Sequence, residues 1–481
     1  MSNILIPKNL TFDGSECSLP GGKRAKHILA YFIHLVITQS MKHGGYNEKH
    51  NGFIPLKADY LRRIHEDYKQ HMAYLVRQGY LECDGYWVQG VKSKGYRLSD
   101  RLALDGYMEQ EVTDSILRST LREQDELQRK ERKLSLKPYK HIVDWYLTND
   151  LEIDADGARR WAKNHLDQEL MNCNVARAER RAKTDAYNAS MWFINKIANK
   201  SITELDFSVC EFGGRLHGMF TFHNKELRKF VTYKGQGLVS MDIKNSQPFF
   251  STRLLDTDFW MCSKSSSDRL RLSKINEELY KEIRKEEELY RGITIRKRPE
   301  PLTSGGFHTS NFRNSVVGGN IYEAFMSKLH STLCEQQRIE LASRVNDRQA
   351  VKREVLRTFY ECPTMFTRPF YKPSEVLIGM YPEVFEVFNR IKRNTFFRRE
   401  QRKQYTLLAK IIQLVESHCV LKGAAKRIAR EQPGLPLFTI HDSIVTLDGH
   451  QAYVKQVIEE EVNRLVGVTP KLEEERWQMP H

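Results

Sequence analysis

The chain has 481 residues, too many for one hydrophobic core, so two to four domains or subdomains are expected. Hydrophobic residues make up 40% and charged residues 28%, the balance of a soluble globular protein, and no apolar run approaches the roughly 18 residues of a membrane span. The formal charge of +15 points to a polyanionic partner, because each Lys or Arg at a phosphate releases a condensed counterion.

The start, Met1-Ser2-Asn3-Ile4-Leu5-Ile6-Pro7-Lys8, lacks the layout of a signal peptide. The eight cysteines are scattered without a CxxC pair, which reads as reduced thiols in a cytoplasmic protein and not as a disulfide or zinc framework. The cations gather in clusters: Arg177, Arg180, Arg181 and Lys183; Arg291, Arg296, Lys297 and Arg298; Lys392, Arg393, Arg398, Arg399, Arg402 and Lys403. Phe396-Phe397 is interleaved in the last, as a nucleic-acid groove wants.

Residues 1–25 read as an arm. Apolar periodicity predicts helices over Lys26–Gln39, Pro55–Ile64 and Asp67–Gln78, the last with Met72, Leu75 and Val76 on one face. A break at Gly79 is followed by Tyr80-Leu81-Glu82-Cys83, a turn at Asp84-Gly85, Tyr86-Trp87-Val88 and Gly95-Tyr96-Arg97-Leu98. Three helices and a hairpin outline a winged helix over 1–98, whose wing carries Lys92, Lys94 and Arg97 and contacts nucleic acid or a protein partner.

Residues 99–205 are polar and helical, with Leu117–Leu136 as a charged, solvated helix. Asp150, Glu152, Asp154 and Asp156 lack the strand context of a nuclease site and read as a loop with a helix N-terminus. Short strands and turns follow from about 206, including Gly213-Gly214-Arg215-Leu216, Phe220-Thr221-Phe222, a turn at Lys234–Gly237 and the strand Leu238-Val239-Ser240-Met241, which ends at Asp242. Residues 256–320 read as a charged insertion, and helices dominate 321–430. A strand–turn–strand over 437–447, with His441-Asp442-Ser443 at its tip, and a helix over Ala452–Leu465 close the chain.

Asp242 and Asp442, 200 positions apart, can share two Mg²⁺ ions (or Mn²⁺) if their strands are neighbours in one sheet. One ion would activate an attacking 3′-hydroxyl and the other would hold a triphosphate. Between them, Arg348, Lys352, Leu356 and Tyr360 recur every four residues along one helical stripe, suited to a triphosphate and a base.

In this order Asp242, the Arg348/Lys352/Tyr360 helix and His441-Asp442 resemble motifs A, B and C of the family A DNA polymerases and the phage-type single-subunit RNA polymerases. Gly214-Arg215-Leu216, Leu227-Arg228-Lys229-Phe230 and the run into Asp242 resemble the segments around motif A, and Gly319-Asn320-Ile321-Tyr322-Glu323 the segment between motifs A and B. The strand Pro470-Lys471-Leu472 and Trp477 resemble the end of the DNA polymerase palm, so the resemblance covers about 206–478.

The resemblance implies an α+β right-hand polymerase with an N-terminal winged-helix domain. Its parts would be 1–98 arm and winged helix, 99–205 helical thumb and connector, 206–255 palm, 256–429 fingers and 430–481 palm again. It implies Asp242 and Asp442 as metal ligands, Lys352 and Arg348 at the triphosphate and Tyr360 near the template base or sugar. It places Gln247 and Tyr322 at the nucleotide, and Arg215, His441 and Gln413 at primer and template. The partners would be nucleic acid and nucleoside triphosphates, with no membrane, no proofreading exonuclease and a phage or mobile-element setting.

Four positions depart from the DNA enzymes: Ser443 stands for Glu, Gln247 for the Glu that blocks a 2′-hydroxyl, Leu356 for an aromatic and Glu361 for Gly. DNA synthesis is the first expectation and RNA synthesis or priming the second. A replication initiator or regulator with a non-catalytic palm is the alternative outside enzymes.

Overall fold

Helix α1 (Ala25–Lys42) is apolar on nearly every side, with Ile28, Leu29, Tyr31, Phe32, Ile33 and Val36 all buried, so it must be surrounded by other elements. The computed structural model describes residues 3–45, 51–88, 92–104, 106–171, 177–261, 268–284, 306–332, 347–361, 373–393 and 406–477. They divide into two units, Met1–Ser208 with His217–Leu238 and Arg476–His481, and Val209–Leu216 with Val239–Glu475. Among the described residues no helix is long and apolar enough to cross a membrane.

In the first unit, strand β1 (Asn3–Pro7) packs on α1 with Ile4 and Ile6, two residues apart and both buried. The Leu5 N–H donates to His34 Nδ1 on α1 at 2.8 Å. The expected arm is therefore part of the core. Strand β2 (Ile54–Pro55), helices α2 (Ala58–Ile64) and α3 (Tyr68–Arg77), and strands β3 (Leu81–Cys83) and β4 (Gly95–Leu98) follow. The three strands form an antiparallel sheet in the order β2-β4-β3. On α3, Met72 and Leu75 are buried but Val76 is exposed, so the expected apolar face is narrower by one residue.

Strand β5 (Tyr107–Glu111) pairs with β1, and helix α4 (Ser115–Leu136) buries Leu117 and Leu121 in the same core. That core runs through Leu98, Leu102, Ala103 and Val112 without interruption at residue 98. Strand β6 (Leu151–Ile153) runs through the acidic cluster, so the missing strand context is in fact present, paired with β7 (Val231–Tyr233). Each nearby acid has a structural partner: Asp150 pairs with Lys234 at 3.1 Å, Glu152 accepts from the Gly235 N–H and Asp154 from the Gly157 N–H, both at 2.9 Å. The Asp154 bond caps helix α5 (Ala155–Met171).

Helix α6 (Arg177–Ala198) carries the first cation cluster, and two of its charges, Arg181 and Lys183, are paired within the fold. Arg181 is buried against Asp100 at 3.0 Å and Asp185 at 3.5 Å, and Lys183 bridges Glu169 and Glu179, each at 3.1 Å. Of the third cluster, Lys392 is buried and donates to the Thr358 carbonyl at 3.2 Å. The second cluster and 394–405 lie outside the described residues. Phe220-Thr221-Phe222, expected among strands, lies in a helical turn (Met219–Phe222), and buried Trp477 meets Phe220 edge-on at 4.9 Å.

The second unit is built on a four-stranded sheet. Its strands are β8 (Leu238–Ile243), β9 (Phe438–Ile440), β10 (Ser443–Leu447) and β11 (Leu472–Trp477), in the order β9-β10-β8-β11. Around it are helices α7 (Ser246–Ser251), α8 (Ile321–Thr332), α9 (Arg348–Tyr360), α10 (Thr406–Ser417) and α11 (Gln451–Val466). After Ser417 the helix widens into π turns over His418–Ala424.

In the first unit, His223 lies between Trp192, with ring centres 5.3 Å apart, and Phe193, at 5.1 Å, and neither ring nitrogen has a hydrogen-bond partner among the described residues. Burial, and secondarily the charge of His43, pushes its pKa down to about 3. The unfolded chain takes up this proton near pH 6.5 and the folded chain does not until far lower, so stability falls as pH drops below 6.5. The His223→Phe variant should lose about 2 kcal/mol less stability than the parent between pH 7 and pH 5 in denaturant titrations. Equal losses would contradict a buried neutral imidazole.

Candidate functional site

Strand β8 is buried at Val239, Ser240, Met241 and Ile243, as befits a strand with neighbours on both edges. Asp242 is its one charged side chain. In the hairpin β9–β10, Ile440 pairs with Ser443, so His441 and Asp442 form a two-residue tip. His441 has φ 51°, the left-handed conformation that such tight hairpins require. The Ser443 hydroxyl closes the turn by donating to the Ile440 carbonyl at 2.8 Å. Because β10 neighbours β8, the tip brings Asp442 into the cleft that Asp242 lines.

The two carboxylates dominate the local electrostatics. Burial, and then the charge of Asp442, pushes Asp242 up to about 7; Lys352 opposes the rise and Glu473 and Glu475 add to it. Asp442 is also raised by burial, against a hydrogen bond from Ser246 and the charges of Arg215 and Lys352. Two half-buried carboxylates of like charge in one cleft favour a shared proton or a cation.

Among the described residues no group of three or more acidic, His or Cys side chains is placed to hold a metal ion. A pair of hard carboxylate ligands is nevertheless what Mg²⁺ uses when it takes its remaining oxygens from water and substrate phosphates. The donor set fits Mg²⁺ or Mn²⁺ arriving with a phosphate, and does not fit a closed protein cage.

Helix α9 faces the pair. Asp347 caps its N-terminus by accepting from the Ala350 N–H at 2.7 Å, and Phe359 anchors its far end against Phe385 and Phe388. The opposite stripe runs from solvent inward: Arg348 and Lys352 are exposed, Leu356 and Tyr360 half-buried. Arg348 pairs with Glu323 at 3.0 Å and lies 5.3 Å from the centre of the Tyr322 ring. Both partners of that ion pair are half exposed, so it is weak and a phosphate can displace it. Tyr322 is buried on α8 just after Gly319, whose φ of 73° lets the chain turn into the helix.

Asp242, Asp442, Lys352, Arg348, Gln247 and Tyr322, six of the residues singled out in the sequence, line one cleft. Tyr360 stands one hydrogen bond behind, its hydroxyl donating to Gln247 Oε1 at 2.6 Å. His441 belongs to the hairpin tip. Arg215 and Gln413, expected at primer and template, each have a partner within the fold. Arg215 is held by Glu416, and Gln413 packs on Gly213, where a Cβ would come within 2.4 Å of its Oε1.

Glu416 is the residue that the sequence reading missed. It is fully buried on α10, where Arg215 grips it with Nε to Oε1 at 2.7 Å and Nη2 to Oε2 at 2.9 Å. Ser246 Oγ donates to Oε2 at 3.0 Å, and Gln247 Nε2 donates to the same oxygen. Burial and the charge of Asp442 push Glu416 up to about 7, with Arg215 pulling the other way. A signal for it exists: Glu416 is the one acid in a mostly apolar run from Leu407 to Leu421, and a buried lone acid needs a cationic partner.

No protein-family model matches the chain, and no curated protein matches it. Among solved structures it is similar to the POL domain of Pol1 from M. smegmatis, in a complex with DNA primer-template and dNTP. The identity is 9%, the match spans 71% of this chain and 69% of that one, and the TM-score is 0.34. The likeness is distant, and the reading of function rests on the cleft itself.

Metal ligation needs both carboxylates deprotonated, so protons compete with the cation below the raised pKa of Asp242. Mn²⁺ affinity, followed by calorimetry, should rise steeply from pH 6 to pH 8 with proton release, and Asp442→Asn should abolish the specific site. A pH-independent affinity would contradict this arrangement.

Proposed function

We propose that the chain is a template-directed nucleotidyltransferase, most simply a compact DNA polymerase. The observation that carries the proposal is the pair of half-buried carboxylates, Asp242 on β8 and Asp442 at the tip of the neighbouring hairpin, lining one cleft with Lys352 and Arg348. The residues supply positioning and charge, which is most of what phosphoryl transfer asks of a protein. Asp242 and Asp442 would hold Mg²⁺, which when bound favours the ionised 3′-hydroxyl and neutralises the triphosphate. Lys352 meets the triphosphate and passes a proton to the departing pyrophosphate. Arg348 exchanges Glu323 for a phosphate oxygen. Tyr322 and Leu356 offer the nucleotide an apolar wall, and Gln247 stands where the sugar edge would lie.

In this reading 206–255 and 430–481 are the palm, 256–429 the fingers and 99–205 the thumb and connector. Ser443, whose hydroxyl is spent on closing its own turn, leaves the choice of sugar to other residues. RNA synthesis or priming is the second reading, favoured by Leu356 in the cleft where the DNA enzymes that the chain resembles place an aromatic.

The order β2-β4-β3 with α1, α2 and α3 supports the winged-helix reading of the N-terminal part. Lys92 and Arg97 are committed to Asp84 and Glu82, which leaves exposed Lys94 with exposed Tyr86 and Trp87 as the contact surface for nucleic acid.

Extension of a labelled primer–template in Mg²⁺, with dNTPs and NTPs in parallel, tests the assignment. The expected result is incorporation that Asp442→Ala and Asp242→Ala each reduce by more than about a thousandfold, while Lys352→Ala costs about a hundredfold. Failure of the parent chain to incorporate either nucleotide class on any primer would sink the enzyme reading. For the hairpin, Trp87→Ala with Lys94→Ala should weaken nucleic-acid binding and lower the salt slope by about one. Unchanged binding would leave this surface to a protein partner. Deleting 1–98 is the poorer test, because it cuts a continuous core.

A further inference from the structure

Gln247 is held at both ends of its amide. Its Nε2 donates to Glu416, and its Oε1 accepts from the Tyr360 hydroxyl at 2.6 Å. An amide alone has no preferred polarity between two such neighbours, since each end can serve either role after a flip. Glu416 removes the ambiguity. An ionised carboxylate only accepts, so it takes the NH₂ end of Gln247, the carbonyl end then faces Tyr360, and the Tyr360 hydroxyl must donate. Arg215, bound to both oxygens of Glu416 from a residue 201 positions away, sets the direction of the whole chain of bonds.

The chain of bonds ties four elements together. Arg215 lies in the loop before Leu216, Ser246 and Gln247 on α7, Glu416 on α10 and Tyr360 at the end of α9. Gln247 is the member that reaches the cleft. Ser417, next to Glu416, donates to the Gly213 carbonyl at 2.7 Å and holds the Arg215 loop from its other side. The buried polar bonds are shared among these elements, so a change at Glu416 is felt at Gln247.

We propose that Glu416 is a positioning residue for sugar selection: it fixes the orientation of Gln247 and Tyr360, which together form the sugar-side wall of the nucleotide cleft. It touches no substrate and acts through Gln247. This inference rests on the polymerase reading above. It moves the carboxylate that the DNA enzymes carry on motif A to a different helix, where it serves through an amide.

The test is steady-state single-nucleotide incorporation at pH 8 with dNTP and NTP, reading kcat and KM separately. Glu416→Gln should shift the ratio of kcat/KM between the two nucleotide classes toward unity by about tenfold, mainly through KM of the disfavoured class. Tyr360→Phe, which removes one hydroxyl and keeps the ring, should shift the ratio in the same direction and serves if Glu416→Gln does not fold. Folded single variants with the parent ratio would overturn the inference. Absence of incorporation by the parent chain would instead overturn the polymerase reading, and this inference with it.

Discussion

The site depends on two like charges being held together against their repulsion. Asp242 and Asp442 are brought into one cleft by backbone pairing, through the adjacency of β8 and β10, and not by any attraction between the side chains. Their cost shows in the direction of their titration: both are raised, first by burial and, for Asp242, then by its neighbour. A fold keeps such an arrangement when a cation relieves it during function. The surroundings follow from that constraint. Lys352 on α9 and Arg215 behind the hairpin place positive charge around the pair without forming a closed ion pair with either aspartate.

A second layer of buried charge supports the first. The Arg215–Glu416 bridge carries no net charge and buries its carboxylate completely. An isolated pair of this kind adds little stability over apolar packing, but it gives a direction to the bonds around it. Here the direction passes to Gln247 and Tyr360, so the bridge is best understood as specifying geometry. The π turns that follow Ser417 lie next to this bridge, in keeping with the tendency of such widened turns to sit at functional sites.

Local chemistry was legible in the sequence. The hairpin around His441-Asp442 was readable because apolar runs flank a two-residue tip, and the stripe Arg348–Lys352–Leu356–Tyr360 because helical spacing is visible in any helix. Features that depend on distant partners were not. Strand β1 is only five residues long and pairs with Tyr107–Glu111, a strand exposed over most of its length, so neither half announces the other. The cluster around Arg181 and Lys183 read as a surface for a polyanion because its acids, Asp100 and Glu169 among them, are dispersed in sequence and come together only in the fold. Arg215 was recognised, but its partner Glu416, 201 positions away, was not. Ser443 changed meaning: as a letter it spoke to the choice of sugar, and in the structure it closes a turn.

The central claim is that the cleft between Asp242 and Asp442 receives a metal-bound nucleoside triphosphate. Crystals grown with Mn²⁺ and a non-hydrolysable triphosphate, examined by anomalous scattering, test it most directly. The account predicts Mn²⁺ density shared by the two carboxylates, with the triphosphate running toward Lys352 and Arg348. Nucleotide bound elsewhere, or a cleft that takes the nucleotide with no Mn²⁺ at the aspartate pair, would contradict it.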